Sequence, residues 1–141
     1  MSLLINIDVP DLASAERFYV EAFGLAPSRR FGDAGVELQG WPAPVYLLVK
    51  AAGTVGAGDD LRRYERHWSP VHFDVVVDDL DAAVARAAAA GAVVEAPAKD
   101  DVWGRIAMLA DPFGHGFCLI QFLGRGYDEI TTPAEGATSE P

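Results

Sequence analysis

Apolar and polar residues alternate from Leu3 to Val9 and again from Val71 to Val77, and this spacing predicts two β-strands. Each strand leads into an aspartate, Asp11 or Asp79, followed by apolar residues at helical spacing. Aspartate is favoured at a helix N-cap because its carboxylate accepts hydrogen bonds from the free amides of the first turn. The chain is therefore predicted to begin the same strand–helix pair twice.

Each predicted helix is followed by three short strand candidates. Gly24 and Gly91 stand where the helices should end, because glycine readily adopts the left-handed conformation after a helix. The sequence Asp111-Pro112-Phe113-Gly114 fits a type I turn between the last two strands, and His115 is interpreted as a residue of that turn. The six strand candidates lie near Ser28–Phe31, Val36–Gln39, Val45–Lys50, Ala92–Glu95, Arg105–Leu109 and Gly116–Phe122.

The two halves can be superposed residue by residue. With Asp11 placed on Asp79, Asn6 falls on Asp74 and Leu4 falls on His72. An internal repeat of this length predicts an α+β fold of two βαβββ units, which form a curved mixed sheet with a concave ligand cleft. The predicted organisation is one domain, with a first unit at 1–50, a linker at 51–69, a second unit at 70–123 and a disordered tail at 124–141.

Side chains alternate along a strand, so one set faces the helix and the other faces the cleft. The residues expected to face the cleft are Leu4, Asn6 and Asp8 in the first strand and His72, Asp74 and Val76 in the fifth. The polar groups among them predict that a ligand binds on the concave side.

The composition narrows the classes of function. The chain has 141 residues, 11 Lys and Arg against 21 Asp and Glu, and a formal net charge of −10. This balance predicts no nucleic-acid partner, because binding phosphates requires clustered basic residues. One cysteine cannot form an intrachain disulfide, and no apolar run reaches the ~20 residues of a membrane span. Without a basic leader at the N-terminus the expected location is the cytoplasm, and the acidic surplus favours a cationic or neutral ligand.

Residues 51–69 differ in composition from both units. Ala51 to Gly58 has the small residues of a flexible linker, whereas Arg62 to Trp68 carries three of the 11 basic residues beside two aromatic ones. One interpretation is that the second stretch contacts an anion or a ring. The other, which is the commoner arrangement, is that its aromatic residues pack on the domain while its arginines extend into water.

Three stretches of the sequence carry a more specific pattern. They are Val9-Pro10-Asp11-Leu12 leading into Phe18-Tyr19, His72 followed by Val77-Asp78-Asp79-Leu80, and Trp103-Gly104 followed by Asp111-Pro112-Phe113-Gly114-His115. Together they resemble the vicinal oxygen chelate superfamily, which includes glyoxalase I, bleomycin-resistance proteins, fosfomycin-resistance enzymes and extradiol dioxygenases. The resemblance covers roughly residues 3–123 and implies a small-molecule ligand and a homodimer.

In metal-using members of that superfamily, the first and last strands of each unit supply His, Glu or Gln ligands. The repeat alignment places Leu4, His72, Tyr46 and Cys118 at those four positions. Only His72 is an ordinary ligand, so we expect no metal and no other cofactor. The alternative is a rebuilt divalent-metal site in which the Asp74 carboxylate joins His72, although Asp74 lies two residues further along the strand.

The candidate ligand-binding residues are polar or aromatic groups, and no catalytic residue is assigned. His72 is either a base or hydrogen-bond donor in the pocket or a structural group of its wall. Cys118 is either a small buried side chain or the partner of His72 in a nucleophilic pair. Tyr46, Trp103 and Arg105 also have structural alternatives, as a core tyrosine, a packed tryptophan and a solvated arginine. The candidates are Asn6, Tyr46, His72, Asp74, Trp103, Arg105 and Cys118.

The sequence is compatible with three functions. The preferred one is a metal-free small-molecule-binding protein, closest in character to the bleomycin-resistance branch, that sequesters a toxic or cationic metabolite. The alternative is a lyase, isomerase or dioxygenase of the same fold, with a rebuilt metal site or with His72 and Asp74 as acid and base. The third is an interaction module whose cleft is filled by side chains. The usual metal-dependent glyoxalase or dioxygenase activity is disfavoured.

Overall fold

The strands and helices follow the order that the repeat predicts. The computed structural model describes residues 1–132, so the end of the predicted tail, 133–141, lies outside the described residues. A 3₁₀ turn at Gly126–Glu129 follows the last strand. The first unit contains β1 (Ile5–Val9), α1 (Leu12–Phe23), β2 (Ala26–Arg30), β3 (Gly35–Gln39) and β4 (Val45–Val49), and the second contains β7 (Phe73–Val76), α2 (Leu80–Ala90), β8 (Val93–Asp101), β9 (Gly104–Ala110) and β10 (Gly116–Phe122), with β5 (Val55–Ala57) and β6 (Asp60–Leu61) between them.

Both predicted helix boundaries are confirmed. The Asp11 carboxylate accepts a hydrogen bond from the Ser14 amide at 2.9 Å, which caps α1. Asp79 caps α2 in the same way. Gly24 and Gly91 end the two helices with φ of 69° and 118°, in the region that glycine alone adopts without strain.

The two units form two four-stranded mixed sheets, which confirms the predicted doubled βαβββ fold. The strand orders are β1-β4-β3-β2 and β7-β10-β9-β8, with the first pair parallel and the others antiparallel in each sheet. No hydrogen-bonded strand pair joins the two sheets within the described part of the chain. β1 and β7 therefore each form one edge of their sheet, and β2 and β8 form the opposite edges.

The strand register confirms the repeat alignment at the level of single residues. Asn6 pairs with Tyr46 in the first sheet, and Asp74 pairs with Cys118 in the second. Ile7 on β1 is buried beneath α1 while Asn6 beside it is exposed, as the alternation predicts. Equivalent positions of the two units can therefore be compared directly.

One apolar core joins the two units. Phe18 and Phe23 of α1 pack on Phe117 of β10, with ring centroids 6.5 and 5.2 Å apart. Trp41, in the loop after β3, packs on Phe23 and also on Phe73 of β7. Because aromatic side chains bury large apolar areas, these contacts hold the two sheets in one arrangement.

The segment 51–69 contains an element that its composition did not predict. β5 and β6 pair as a short antiparallel hairpin where the sequence favours a flexible linker. After the hairpin, the chain runs over the turn between β9 and β10 in close backbone contact. A Cβ added to Gly114 would lie 2.5 Å from the Tyr64 carbonyl oxygen, so glycine is required at that approach. Long-range packing of this kind is invisible in local composition.

Candidate functional site

A crevice of about 590 Å³ lies between the edge strands β1 and β7. The segment after β6 and the turn between β9 and β10 complete its walls. Rings and aliphatic groups from both units line it, among them Ile7, Phe23, Trp41, Phe73 and Phe117. A volume of this size holds a small organic molecule.

The polar groups of the crevice include every histidine of the chain. The three histidines His67, His72 and His115 line it together with Asn6. Imidazole can donate, accept or carry a proton near neutral pH, so a crevice that gathers all three is chemically distinct from the rest of the molecule. The predicted residues Asn6 and His72 are thus brought together here.

The segment after β6 supplies charged groups to the same crevice, and they are anchored to the domain. The Arg62 Nε donates to the Asp8 carboxylate at 2.7 Å, and the Tyr64 hydroxyl donates to the Lys50 carbonyl at 2.5 Å. Arg66 forms a two-pronged ion pair with Glu95 of β8. The aromatic packing foreseen for this segment is present at Tyr64, whereas two of its arginines bind carboxylates rather than extending into water.

His115 is held in one orientation by a buried carboxylate. Asp111 is only 3% exposed, and it accepts hydrogen bonds from the amides of Phe113 and His115 and from the Tyr19 hydroxyl. The His115 Nδ1 lies 2.7 Å from the same carboxylate. An ionised carboxylate only accepts, so Nδ1 carries the proton and Nε2 is the ring nitrogen left for the crevice.

Sequence reasoning missed this role, because it treated His115 only as a turn residue. A usable signal existed in the spacing of Asp111 and His115, since four residues across a tight turn bring the two side chains together. The Tyr19 contact comes from a distant part of the chain, and no local pattern indicates it.

The concave side of the first sheet is closed by a second polar cluster. Glu37 on β3 is 3% exposed, and its carboxylate accepts hydrogen bonds from Arg29, Tyr46, Ser28 and Gln39. The Arg29 guanidinium, followed by the Tyr46 hydroxyl, lowers the pKa of Glu37 to about 2. The candidate Tyr46 is thus bound within its own sheet, and its hydroxyl is not free for a ligand.

The second sheet presents a different group at the equivalent positions. The His72 Nε2 lies 3.3 Å from the Asp74 carboxylate, and ligand atoms of His72, Asp74 and Cys118 all lie within 4.8 Å of one another. The ring of Trp68 lies 4.8 Å from that of His72. The His72 Nδ1 is buried without a hydrogen-bond partner among the described residues. Burial, followed by the Asp74 charge, raises the pKa of the Cys118 thiol to about 11, which disfavours it as a nucleophile.

Two of the candidate residues lie away from these groups. Trp103 packs against Phe122 and Tyr127 at the far end of β10. Arg105 binds Asp81 of α2, because the alternation along β9 places it on the helix side of the sheet. The structure therefore separates Trp103 and Arg105 from the crevice and from the His72 cluster.

These features define an α+β protein built from two βαβββ units with a crevice between their edge strands. A family model described as a glyoxalase-like domain matches residues 4–120, so the chain belongs to that family. It is a member of the vicinal oxygen chelate superfamily, as its sequence pattern indicates.

Individual relatives agree with this assignment. The chain is 38% identical over 131 residues to an uncharacterized protein of Mycobacterium bovis, covering 82% of this chain and 80% of that protein. It is 36% identical over 127 residues to the anthracycline biosynthesis protein DnrV of Streptomyces peucetius, covering 87% of this chain but 42% of that protein. The fosfomycin resistance protein FosX of Mesorhizobium loti shares the fold, with a TM-score of 0.68 and 17% identity over 93% of this chain and 98% of that one.

The residues present do not fit the four-ligand metal site that the superfamily implies. In the first unit Leu4 has no donor atom, and the Tyr46 hydroxyl is bound to Glu37. The second unit contributes His72 and Cys118, so two of the four positions lack an available ligand. A four-ligand site of that kind would draw its donors from both units, and the first unit offers none at its two positions.

Proposed function

We propose that this protein binds and sequesters a small organic molecule in the crevice between β1 and β7, without the superfamily's four-ligand metal. The observation that carries the proposal is the crevice itself, with walls from both units and a volume of about 590 Å³. Its combination of apolar rings and a few polar groups is typical of ligand sites.

The state of the first unit supports binding rather than metal-assisted chemistry. The Tyr46 hydroxyl and the Glu37 carboxylate satisfy each other, and Arg29 adds a two-pronged ion pair. Recruiting the Tyr46 hydroxyl or the Glu37 carboxylate to a metal would break hydrogen bonds of a carboxylate that is only 3% exposed, which is unfavourable. Binding of the ligand therefore relies on apolar contacts and hydrogen bonds in the crevice.

The test combines metal analysis with ligand screening on the full chain. We expect purified protein to hold less than stoichiometric metal, and its melting temperature to rise with crevice-binding compounds whether or not a chelator is present. Val71→Trp should abolish the ligand-induced shift, because Val71 lines the crevice and is 84% exposed. Val93→Trp is the matched control, since Val93 lies on β8 outside the crevice lining. A stoichiometric metal whose removal abolishes binding would contradict the proposal.

A second candidate function is a metal site confined to the second unit. It is favoured by one observation, the convergence of His72, Asp74 and Cys118. Because the thiol pKa is raised to about 11, a metal must displace the thiol proton, which favours a thiophilic ion such as Zn²⁺ over Mg²⁺. Titration with Co²⁺ should give a thiolate charge-transfer band that Cys118→Ser removes and His72→Ala weakens. Absence of the band in the parent protein would eliminate this candidate.

We also propose that the protein is a homodimer that works in the cytoplasm. Among the described residues no helix has the length and apolar character needed to cross a membrane. The proposed dimer is checked by light scattering after gel filtration, where a mass near twice the 15.1 kDa of one chain is expected. A mass of one chain at micromolar concentration would contradict it.

A further inference from the structure

The charges at the crevice differ in sign from those of the whole chain. The net charge of −10 by itself favours a cationic ligand. Of the described residues that line the crevice, however, two are arginines, Arg62 and Arg63, and one is a carboxylate, Asp8. The three histidines add groups that can gain positive charge but never carry negative charge. Local potential, rather than net charge, decides which ligand a cleft attracts.

The two arginines are not equally engaged. Arg62 is bound to Asp8 at 2.7 Å and also donates to the Thr54 hydroxyl and the Val55 carbonyl, so its charge is matched by neighbours. Among the described residues, the only carboxylate within 4 Å of the Arg63 guanidinium is that of Asp60, at 3.7 Å, and the Asp60 side chain is 85% exposed. An exposed pair at this distance is weak, so the Arg63 guanidinium keeps most of its capacity to bind an anion.

Two histidines line the same crevice as Arg63. The backbone of Tyr64 rests on the turn at Gly114, which brings the chain around Arg63 and His67 against the turn that carries His115. In His115 the Nδ1 is bound to Asp111, and in His67 it lies 3.0 Å from the Glu65 carbonyl, so Nε2 is the nitrogen left for a ligand in both rings. This nitrogen accepts a hydrogen bond in the neutral ring and donates one to an anion in the imidazolium form. The carboxylates behind this wall are accounted for: Asp111 is buried among its donors, and Asp74 lies beside His72 outside the crevice lining.

We propose that the crevice takes a small organic anion, such as an aryl carboxylate, with its charged group against Arg63, His67 and His115. The apolar part of the molecule lies against the rings of Trp41 and Phe73, which line the same crevice. The inference rests on the proposed binding function and adds the sign of the ligand's charge. It reverses the sign that the composition favours.

Three probes with one ring and different charges test the inference by calorimetry: 1-naphthoate, 1-naphthamide and 1-naphthylmethylammonium. We expect the anion to bind about fivefold more tightly than the neutral amide, as one partly screened charge contact allows, and the cation to bind more weakly than the amide. Arg63→Gln should remove most of this fivefold preference for naphthoate and leave the affinity of the amide unchanged. His115→Asn gives a second, independent loss for the anion. Arg125→Gln is the matched control, because Arg125 pairs with Glu129 after the last strand and lies outside the crevice lining.

The outcomes separate this inference from the proposed function. Equal affinity for the three probes, or tightest binding of the cation, overturns the anion preference while binding in the crevice stands. Anion binding that Arg63→Gln and His115→Asn leave unchanged also overturns it. Binding of all three probes that survives Val71→Trp lies outside the crevice and overturns both proposals, as does failure of all three to bind at millimolar concentration.

Discussion

The hydrogen bond between Tyr19 and Asp111 joins the two units, and its removal gives a sharp test of the shared core. The Tyr19 hydroxyl on α1 donates to the Asp111 carboxylate of the second unit at 2.7 Å, with both residues buried. A hydrogen bond to a charged group contributes about 1.5–3 kcal/mol to the free energy of unfolding. Tyr19→Phe keeps the ring and leaves the His115 Nδ1 bonded to the same oxygen. We therefore expect a loss of about 1.5–3 kcal/mol without loss of the fold.

Urea denaturation followed by circular dichroism measures this loss. For an m-value of about 2 kcal/mol per molar urea, the midpoint should fall by about 1 M. Tyr127→Phe is the matched control, because Tyr127 is 44% exposed and its hydroxyl has no hydrogen-bond partner among the described residues. The control should stay within about 0.5 kcal/mol of the parent protein. A Tyr19→Phe midpoint as close to the parent as the control would refute the assigned role of this bond.

Alkaline pH provides an independent measure of the same contact. Burial, followed by the Asp111 charge, raises the pKa of Tyr19 well above its usual value of 10.0. Above pH ~10 the unfolded chain loses this phenolic proton while the folded chain keeps it, so the stabilisation is lost as the pH rises. We expect the parent protein to lose more stability than Tyr19→Phe between about pH 9 and pH 11. Parallel losses in the two proteins would contradict the shift.

Three further predictions follow from other contacts. The Arg29 guanidinium lowers the pKa of Glu37 from 4.5 to about 2, so the stability that the ionised Glu37 contributes is lost as the pH falls from 4.5 towards 2. Glu37→Gln should therefore flatten the acid unfolding curve in that range. An unchanged curve would contradict the role of this cluster. Gly114→Ala should destabilise the fold more than Gly53→Ala in urea titrations, because both have positive φ but only Gly114 faces a carbonyl oxygen at 2.5 Å, and equal losses would refute the close approach. Cys118 should react with a disulfide reagent at pH 8 far more slowly in the folded protein than in urea, because its side chain is buried and its thiol pKa is raised to about 11. Equal rates in the two states would contradict the burial of Cys118.

Local patterns predicted the fold well because the repeat is defined by strand alternation and helix caps, which act over a few residues. The alternation of β1 and β7 and the caps Asp11 and Asp79 act within a few residues, and the structure has them where the sequence places them. The hairpin at β5 and β6 was not predicted, because its glycines and alanines have low strand propensity and packing overrides that preference.

The candidate site was predicted less completely because it depends on contacts between distant residues. Alternation placed Asn6 and His72 on the concave side, and both line the crevice. The crevice is also lined by Ile7 and Phe73, which alternation places on the helix side, so it differs from the predicted concave cleft. Glu37 gave a local signal, a charge within the apolar run of β3, but its closure of the first sheet depends on Arg29 arriving from β2. Arg105 lies outside the crevice because it shares the parity of the core residues Ala107 and Leu109 along β9, which places it on the helix side.

Comparison of the two units explains why the site lies between them. At equivalent positions the first sheet has Asn6 paired with Tyr46, and the second has Asp74 paired with Cys118. In the first sheet Glu37 accepts a hydrogen bond from Tyr46 and forms a hydrogen-bonded polar cluster on the concave side. The equivalent strand position in the second sheet is Met108, whose side chain requires no polar partner. Within the described residues β1 and β7 are not paired with each other, so side chains of both units line the crevice between them, where we propose that the ligand binds.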